Sequence, residues 1–245
     1  MGGPGALPVV SVELEVLEDP ARACAALMVA AAIGGGHLVL TGGSTPRAAY
    51  EAFVDAVGTL GLDLSRTTFW IGDERCVEPD DERSNYAMIK ASLLDPLASP
   101  SGPPAMRRIK GELGPESGAE DYERELRAAG PPRFDLVLLG IGSDGHAASL
   151  FPDQESLSVS GRLVVGVPEA GLEPFVPRVS LTLETLTATR QIAVLATGES
   201  KAEAVAHAFG PDARPDPHVP SSLLAPRAEQ LTVLLDAAAA GALRQ

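Results

Sequence analysis

The sequence predicts an α/β protein built on a layered, mostly parallel sheet with helices on both faces. Three observations point there. Apolar runs of strand length alternate with helix-length amphipathic segments over most of the chain, the pattern of repeated strand–helix units. The strongest run, "FDLVLLG", is apolar at nearly every position, as a parallel strand covered on both faces would be. Four strands also hand over to polar, glycine-rich loops, "TGGSTP", "GDERCV", "GIGSDGH" and "TGESK", and such sheets bind ligands at the carboxyl ends of their strands.

In chain order, "VVSVELEVL" reads as the first strand. Asp19-Pro20 then supplies an N-cap and a first-turn proline for a helix to about Ile33. "HLVLT" is a short buried strand, followed by "GGSTP" and a helix from near Pro46. "TTFWIG" is the next strand, followed by "DERCVEPDDERSN" and a helix through Leu94. "FDLVLLG", "QIAVLAT" and "LTVLLD" complete the strand set, and "GESKAEAVAHAF" and "AAAAGALR" are read as the helices after the last two. Proline-rich stretches at Pro96 to Pro104 and Pro211 to Pro220 read as surface loops. Neither divides halves of different composition, so one domain over 1–245 is expected.

Composition narrows the function classes. The 45% hydrophobic and 21% charged content fits a globular chain rather than a disordered one. A formal net charge of −14 argues against nucleic acid as a partner, because phosphate backbones need a field of the opposite sign. An acidic chain can bind a small anion only through local cations, which makes its few placed Arg and Lys residues informative. Cys24 and Cys76 form no CxxC, so neither a disulfide framework nor a zinc site is expected, and a reducing cytoplasm fits best. The opening residues lack a basic n-region, and "ACAALMVAAAIGGG" is too short to span a bilayer, so neither a signal peptide nor a membrane partner is expected.

"GIGSDG" contains a literal G-x-G-x-x-G at Gly140, Gly142 and Gly145. A dinucleotide fingerprint needs these glycines to open a helix, with an acidic residue about 20 positions on. Glu169 supplies the acid, but Pro152 falls seven residues after Gly145 and "DQESLSVSG" carries no apolar stripe. The pattern reads better as a tight turn in which Gly142 and Gly145 take positive φ. That turn would place Asp144 and His146 at a strand's carboxyl end, where the His can serve as a general base.

"TGGSTP" sets Gly42, Gly43, Ser44 and Thr45 at a strand end before Pro46. It reads either as an anion cradle at a helix N-terminus or as a plain capped turn. "DERCVEPDDER" crowds Asp73, Glu74, Arg75 and further charges after a strand. Its acidic spacing matches no calcium loop and no His lies nearby, so no metal is expected. Arg75 stands out there because a fixed guanidinium can hold a phosphate or an oxyanion. Arg178 and Lys201 each read alone as surface cations. Lys201 gains weight from its place at a helix start, where the dipole disfavours a cation unless an anion is bound. His37, His207 and His218 show no ligand spacing.

With these residues in hand, the chain resembles the 6-phosphogluconolactonase family, within the superfamily shared with glucosamine-6-phosphate isomerase/deaminase. "LTGGSTP", "WIGDERCVEPDDERSNY", "FDLVLLGIGSDGHAASLFP", "PRVSLT" and "TGESKA" carry the resemblance, from about Val9 to Asp236. It implies a Rossmann-like fold of the sugar-phosphate isomerase/lactonase type. It also implies a cytoplasmic, cofactor-free and metal-free hydrolase that opens 6-phospho-D-glucono-1,5-lactone, as a monomer or homodimer. By the same resemblance, His146 is the general base, Asp144 orients or electrostatically tunes it, and Arg75 stabilises charge at the lactone end or holds the substrate. The sequence leaves open how Arg75, Arg178 and Lys201 divide the phosphate and the oxyanion between them. Gly43, Ser44, Thr45, Arg178 and Lys201 gather around the phosphate, and Asp73 joins the substrate-binding set. The deaminases resemble "DGHIAFNEP", with a Glu that works with the His; here Leu150 and Phe151 replace the Asn-Glu pair. They also read Asp-Glu-Tyr where this chain has Asp73-Glu74-Arg75, and both departures favour the lactonase. Ala147 stands where Thr is common in the lactonases. The alternatives are the deaminase and a non-enzymatic sugar-phosphate-sensing domain.

Overall fold

The computed structural model describes residues 12–98, 104–129 and 133–244. The start of the first expected strand (9–11) and part of the first proline-rich stretch (99–103) lie outside these. The described chain runs β1 (Val12–Val16), α1 (Pro20–Ala32), β2 (His37–Leu40), α2 (Ser44–Leu60), β3 (Thr68–Ile71), β4 (Asp73–Arg75) and α3 (Asn85–Ile89). It continues with β5 (Ala105–Arg107), α4 (Pro115–Ala128), β6 (Leu136–Leu139), β7 (Val164–Val167), β8 (Arg178–Leu181) and α5 (Leu183–Thr187), and ends with β9 (Ile192–Ala196), α6 (Ala202–Phe209) and β10 (Leu231–Leu235).

Local chemistry explains the element ends. Asp19 caps α1 as expected, its carboxylate accepting from the Arg22 N–H at 3.0 Å, with Pro20 in the first turn. Gly61 ends α2 in the left-handed conformation. α3 carries on as a π-helical turn, Lys90–Leu94, so the helix expected through Leu94 is present in two parts.

Seven strands form one parallel sheet in the order β1-β10-β9-β6-β2-β3-β5. Val233, Val194 and Leu139 make one buried row across its centre. Each such side chain contributes roughly 1.5–3 kcal/mol by leaving water. Both faces are covered. Adjacent residues on a strand point to opposite faces, and on β3 Phe69 meets Phe53 of α2 while Trp70 meets Tyr122 of α4.

The chain steps outward from β2 through β3 to β5, then returns to β6 on the other side of β2. The carboxyl ends of β2 and β6 therefore flank a switch point, where open α/β sheets hold ligands.

Three features differ from the sequence expectation. β4, β8 and β7 form a second, antiparallel sheet, joined to the first at Gly72, whose N–H donates to Leu40 and whose carbonyl accepts from Leu181. α4, which the apolar pattern did not single out, packs on that sheet and hydrogen-bonds β3 through the Tyr122 hydroxyl. "AAAAGALR" forms turns and a 3₁₀ segment, Gly241–Arg244, in place of a helix. Eight residues broken by a glycine are too few to sustain the helix that their alanines favour.

Candidate active site

A pocket of about 240 Å3 opens at the switch point, lined by the four loops that the sequence marked. Thr41 to Pro46 come from the β2 end, Asp73 and Arg75 from β4, Gly140 to Gly142 and His146 from the β6 end, and Thr197 and Lys201 from the β9 end. Arg178 arrives from the second sheet, and Leu172 and Glu173 from the loop before it. Of the expected site residues, only Asp144 is absent from the lining; it lies behind His146.

His146 Nδ1 and Asp144 Oδ1 are 2.6 Å apart, and the same oxygen accepts from the His146 backbone N–H at 3.2 Å. With Nδ1 carrying the proton toward the carboxylate, Nε2 is the nitrogen left with a lone pair. Half-burial pushes the Asp144 carboxyl up, but the hydrogen bonds and charge of His146 outweigh it, and the net pKa is lowered. The turn is closed by Gly142 N–H donating to the His146 carbonyl and Gly145 N–H donating to the Gly142 carbonyl. Gly145 takes the expected positive φ of 83°. Gly142 does not. It is glycine because a Cβ there would stand 2.1 Å from His146 Nδ1 and 2.3 Å from Asp144 Oδ1.

The G-x-G-x-x-G opens no helix. After His146 the chain makes the bridge Ala147–Leu150 and then a short 3₁₀ segment, Glu155–Ser158, so the dinucleotide reading is excluded by the local fold.

At the β2 end, Gly43 sits at φ 116° as the N-cap of the 17-residue helix α2, with no side chain capping it. Ser44 and Thr45, in the first turn of α2, line the same pocket, and a helix N-terminus there suits an anion. Thr45 Oγ1 is 2.9 Å from Thr197 Oγ1, which ties this loop to the β9 loop. Lys201 lies in a 3₁₀ turn just before α6; burial lowers its pKa, and the Asp144 charge opposes that shift.

Arg75 and Arg178 are cross-strand partners on β4 and β8. Arg75 Nη1 donates to the Arg83 carbonyl at 2.5 Å, while its buried Nε has no protein partner among the described residues. Arg178 is buried, and desolvation followed by the nearby Arg75 charge lowers its pKa. Its Nε donates to the Val176 carbonyl, and its Nη2 to those of Leu172 and Pro174. Much of this guanidinium therefore braces the loop over the pocket, with Nη1 left over.

Asp73 is buried, and its Oδ2 accepts from Ser149 Oγ at 2.6 Å, which links β4 to the His146 turn. Asn85, Thr197, Leu172 and Glu173 also line the pocket and were not singled out in the sequence. Asn85 sits inside a charged run where nothing in its spacing marks it; it matters because Nδ2 donates to the Asp73 carbonyl at 2.7 Å. Among the described residues, no group of three or more His, Cys, Asp or Glu side chains is placed to hold a metal ion. Nor is any described helix long and apolar enough to cross a membrane.

Known proteins share both sequence and fold. The family model described as glucosamine-6-phosphate isomerases/6-phosphogluconolactonase matches residues 14–233. The chain is 38% identical to 6-phosphogluconolactonase of Homo sapiens, over 83% of this chain and 79% of that one. It is 33% identical to 6-phosphogluconolactonase of Synechocystis sp., over 92% and 93% respectively. The solved structure of 6-phosphogluconolactonase from Trypanosoma brucei superposes with a TM-score of 0.78 at 27% identity, covering 95% of this chain and 98% of that one.

Proposed function

The chain belongs to the glucosamine-6-phosphate isomerase/6-phosphogluconolactonase family, and from that premise we propose how its pocket works. The reaction is the hydrolysis of 6-phospho-D-glucono-1,5-lactone to 6-phospho-D-gluconate, in the oxidative pentose phosphate pathway. The observation that carries the mechanism is the His146–Asp144 pair, with Nε2 left free at a pocket that also gathers three cations and a helix N-terminus.

A lactone carbonyl is already electrophilic, so the protein must supply a base, charge stabilisation at the carbonyl oxygen and an anchor for the phosphate. His146 Nε2 takes a proton from a water molecule as its oxygen adds to C1. Asp144 holds the ring in the tautomer this requires and stabilises the imidazolium that forms. Arg75 supplies positive charge to the developing oxyanion. Collapse of the tetrahedral adduct breaks the bond from C1 to the ring oxygen, and the imidazolium returns the proton to that oxygen. The amides and hydroxyls at Gly43, Ser44 and Thr45 hold the 6-phosphate together with Lys201 and the unused edge of Arg178. Asp73, with one oxygen engaged by Ser149, accepts from a sugar hydroxyl.

The test is lactone opening followed by NADP reduction with 6-phosphogluconate dehydrogenase, with spontaneous hydrolysis subtracted. Wild type is expected to accelerate the reaction, and His146→Ala to lose roughly 10²- to 10⁴-fold in rate, the range for removing a general base. Full activity in His146→Ala would remove the base from the mechanism. Release of ammonia from glucosamine 6-phosphate, without lactone opening, would assign the deaminase reaction instead.

A further inference from the structure

Phe151 is almost fully buried, and the reaction above assigns it no part. Its ring centroid lies 4.7 Å from that of the His146 imidazole, the planes inclined at 49°. The Arg178 guanidinium carbon lies 5.9 Å from the same centroid. One ring thus touches both the base and a pocket cation, which come from different sheets.

The local chain is shaped to bring it there. Ala148 takes a positive φ of 51°, rare for a residue with a Cβ, and Leu150 N–H donates to the Ala147 carbonyl at 3.0 Å. This tight reversal returns the chain toward His146 within five residues. The loop that Arg178 braces closes over the ring from outside. At Gly171 a Cβ would stand 3.1 Å from Phe151 Cβ, Cγ and Cδ1, tighter than ordinary contact, so that position suits a residue without one.

We propose that Phe151 is a positioning residue that fixes the His146 imidazole and the Arg178 guanidinium relative to each other. Asp144 holds the imidazole only at Nδ1, an attachment that leaves the ring free to rock about that bond. An aromatic face on its flank removes the freedom by packing, and an imidazole against a ring prefers a tilted arrangement of this kind. Arg178 is held by carbonyls at Nε and Nη2, and its charge lies over the Phe151 ring, whose quadrupole attracts it. The proposal rests on the reaction assigned above. Phe151 also occupies the place where the deaminases resemble a sequence with Glu, so an apolar brace stands where that reaction needs a carboxylate.

The experiment compares Phe151→Leu, which keeps apolar bulk without the ring, with Phe151→Tyr, which keeps the ring. Folding of each is checked by thermal unfolding. Phe151→Leu is expected to lower kcat on the order of 10-fold, since displacing a reacting group by about an ångström can cost up to 10²-fold, and to raise KM through Arg178. Phe151→Tyr keeps kcat near the wild-type value. In a His146→Ala background, Phe151→Leu leaves the residual kcat unchanged within about twofold, because the ring then has no base to orient. Loss by the same factor in both backgrounds would mean a structural role only, and unchanged kcat and KM would also overturn the proposal. Phe151→Met, read the same way, replaces Phe151→Leu if the latter does not fold.

A second readout does not depend on turnover. The hydrogen-bonded His146 Nδ1 proton should give an NMR signal in wild type that broadens in Phe151→Leu and persists in Phe151→Tyr. An unaltered signal in Phe151→Leu defeats the proposal whatever the reaction. Wild type that fails to open the lactone, with this signal behaving as stated, defeats the reaction and leaves the positioning role standing.

Discussion

Gly142 shows how one missing methyl group leaves room for the His146–Asp144 pair. A Cβ at this position would overlap both His146 Nδ1 and Asp144 Oδ1, and neither is the far end of a flexible chain: one belongs to a ring, the other to a two-bond side chain held by it. Gly142→Ala must therefore move the imidazole, the carboxylate or the turn. We expect it to fold, because the strain falls on a turn outside the sheet, and to lose about 10²-fold in kcat, the scale of a small misplacement at a reacting centre. The coupled lactone assay with a parallel melting curve checks this; normal kcat would mean that the pair tolerates displacement. At this scale the sequence was informative. It marked His146, Asp144, Arg75, Gly43, Ser44, Thr45, Asp73, Arg178 and Lys201, and all but Asp144 line one pocket, with Asp144 bonded to His146. What spacing could not give was the reason for Gly142, which depends on where two side chains end in space rather than on φ.

The second sheet and α3 depend on one buried carboxylate. Glu74 on β4 accepts at Oε1 from the N–H groups of Arg75 and Asn85, and at Oε2 from the Tyr86 N–H, each at 2.7 Å, while Ser84 Oγ donates to Oε2 at 3.1 Å. Ser84 Oγ in turn accepts from the Ala87 N–H. The orphan amides of Asn85 and Tyr86 in the first turn of α3 are thus satisfied by a residue eleven and twelve positions upstream of them, and that of Ala87 by the N-cap. In sequence, "DERCVEPDDERSNY" reads as a solvated charged loop, because short acidic runs lack strand propensity. The pairing that makes Asp73–Arg75 a strand comes from Arg178–Ser180, about a hundred residues away, and no local pattern reports such a contact. Burial raises the Glu74 pKa above its ordinary 4.5 despite its backbone hydrogen bonds. The folded protein therefore binds this proton more readily than the unfolded chain, so raising pH from 4.5 through the folded value reduces stability at this position. Glu74→Gln loses acceptor capacity, costing about 1–3 kcal/mol, but carries no ionisation penalty. The stability gap between wild type and Glu74→Gln, read from urea midpoints, should narrow as pH rises from 4 to 7. A gap that widens would mean that the four donors outweigh burial.

Across the whole molecule, charge is distributed against the proposed substrate. The chain carries a formal net charge of −14, yet the pocket presents Arg75, Arg178 and Lys201. None of these cations takes part in an ion pair among the described residues. The surface arginines and lysines are mostly neutralised by neighbours, as in Arg108–Glu112 and Lys110–Asp121. An approaching phosphate therefore meets repulsion at long range and attraction at short range. Salt separates the two: the screening length falls from about 30 Å at 0.01 M to about 8 Å at 0.15 M, and charges inside a pocket are screened less than those spread over a surface. Weakening the distant repulsion more than the local attraction should make kcat/KM rise over that range, with kcat little changed, when sodium chloride is the salt. Inorganic phosphate at the same ionic strength should lower kcat/KM if it competes for the anion cradle proposed at Gly43, Ser44 and Thr45. A fall in kcat/KM with sodium chloride would show that the pocket cations dominate the field even at the mouth. The net charge would then bear on solubility, and approach to the site would be set by these three residues alone.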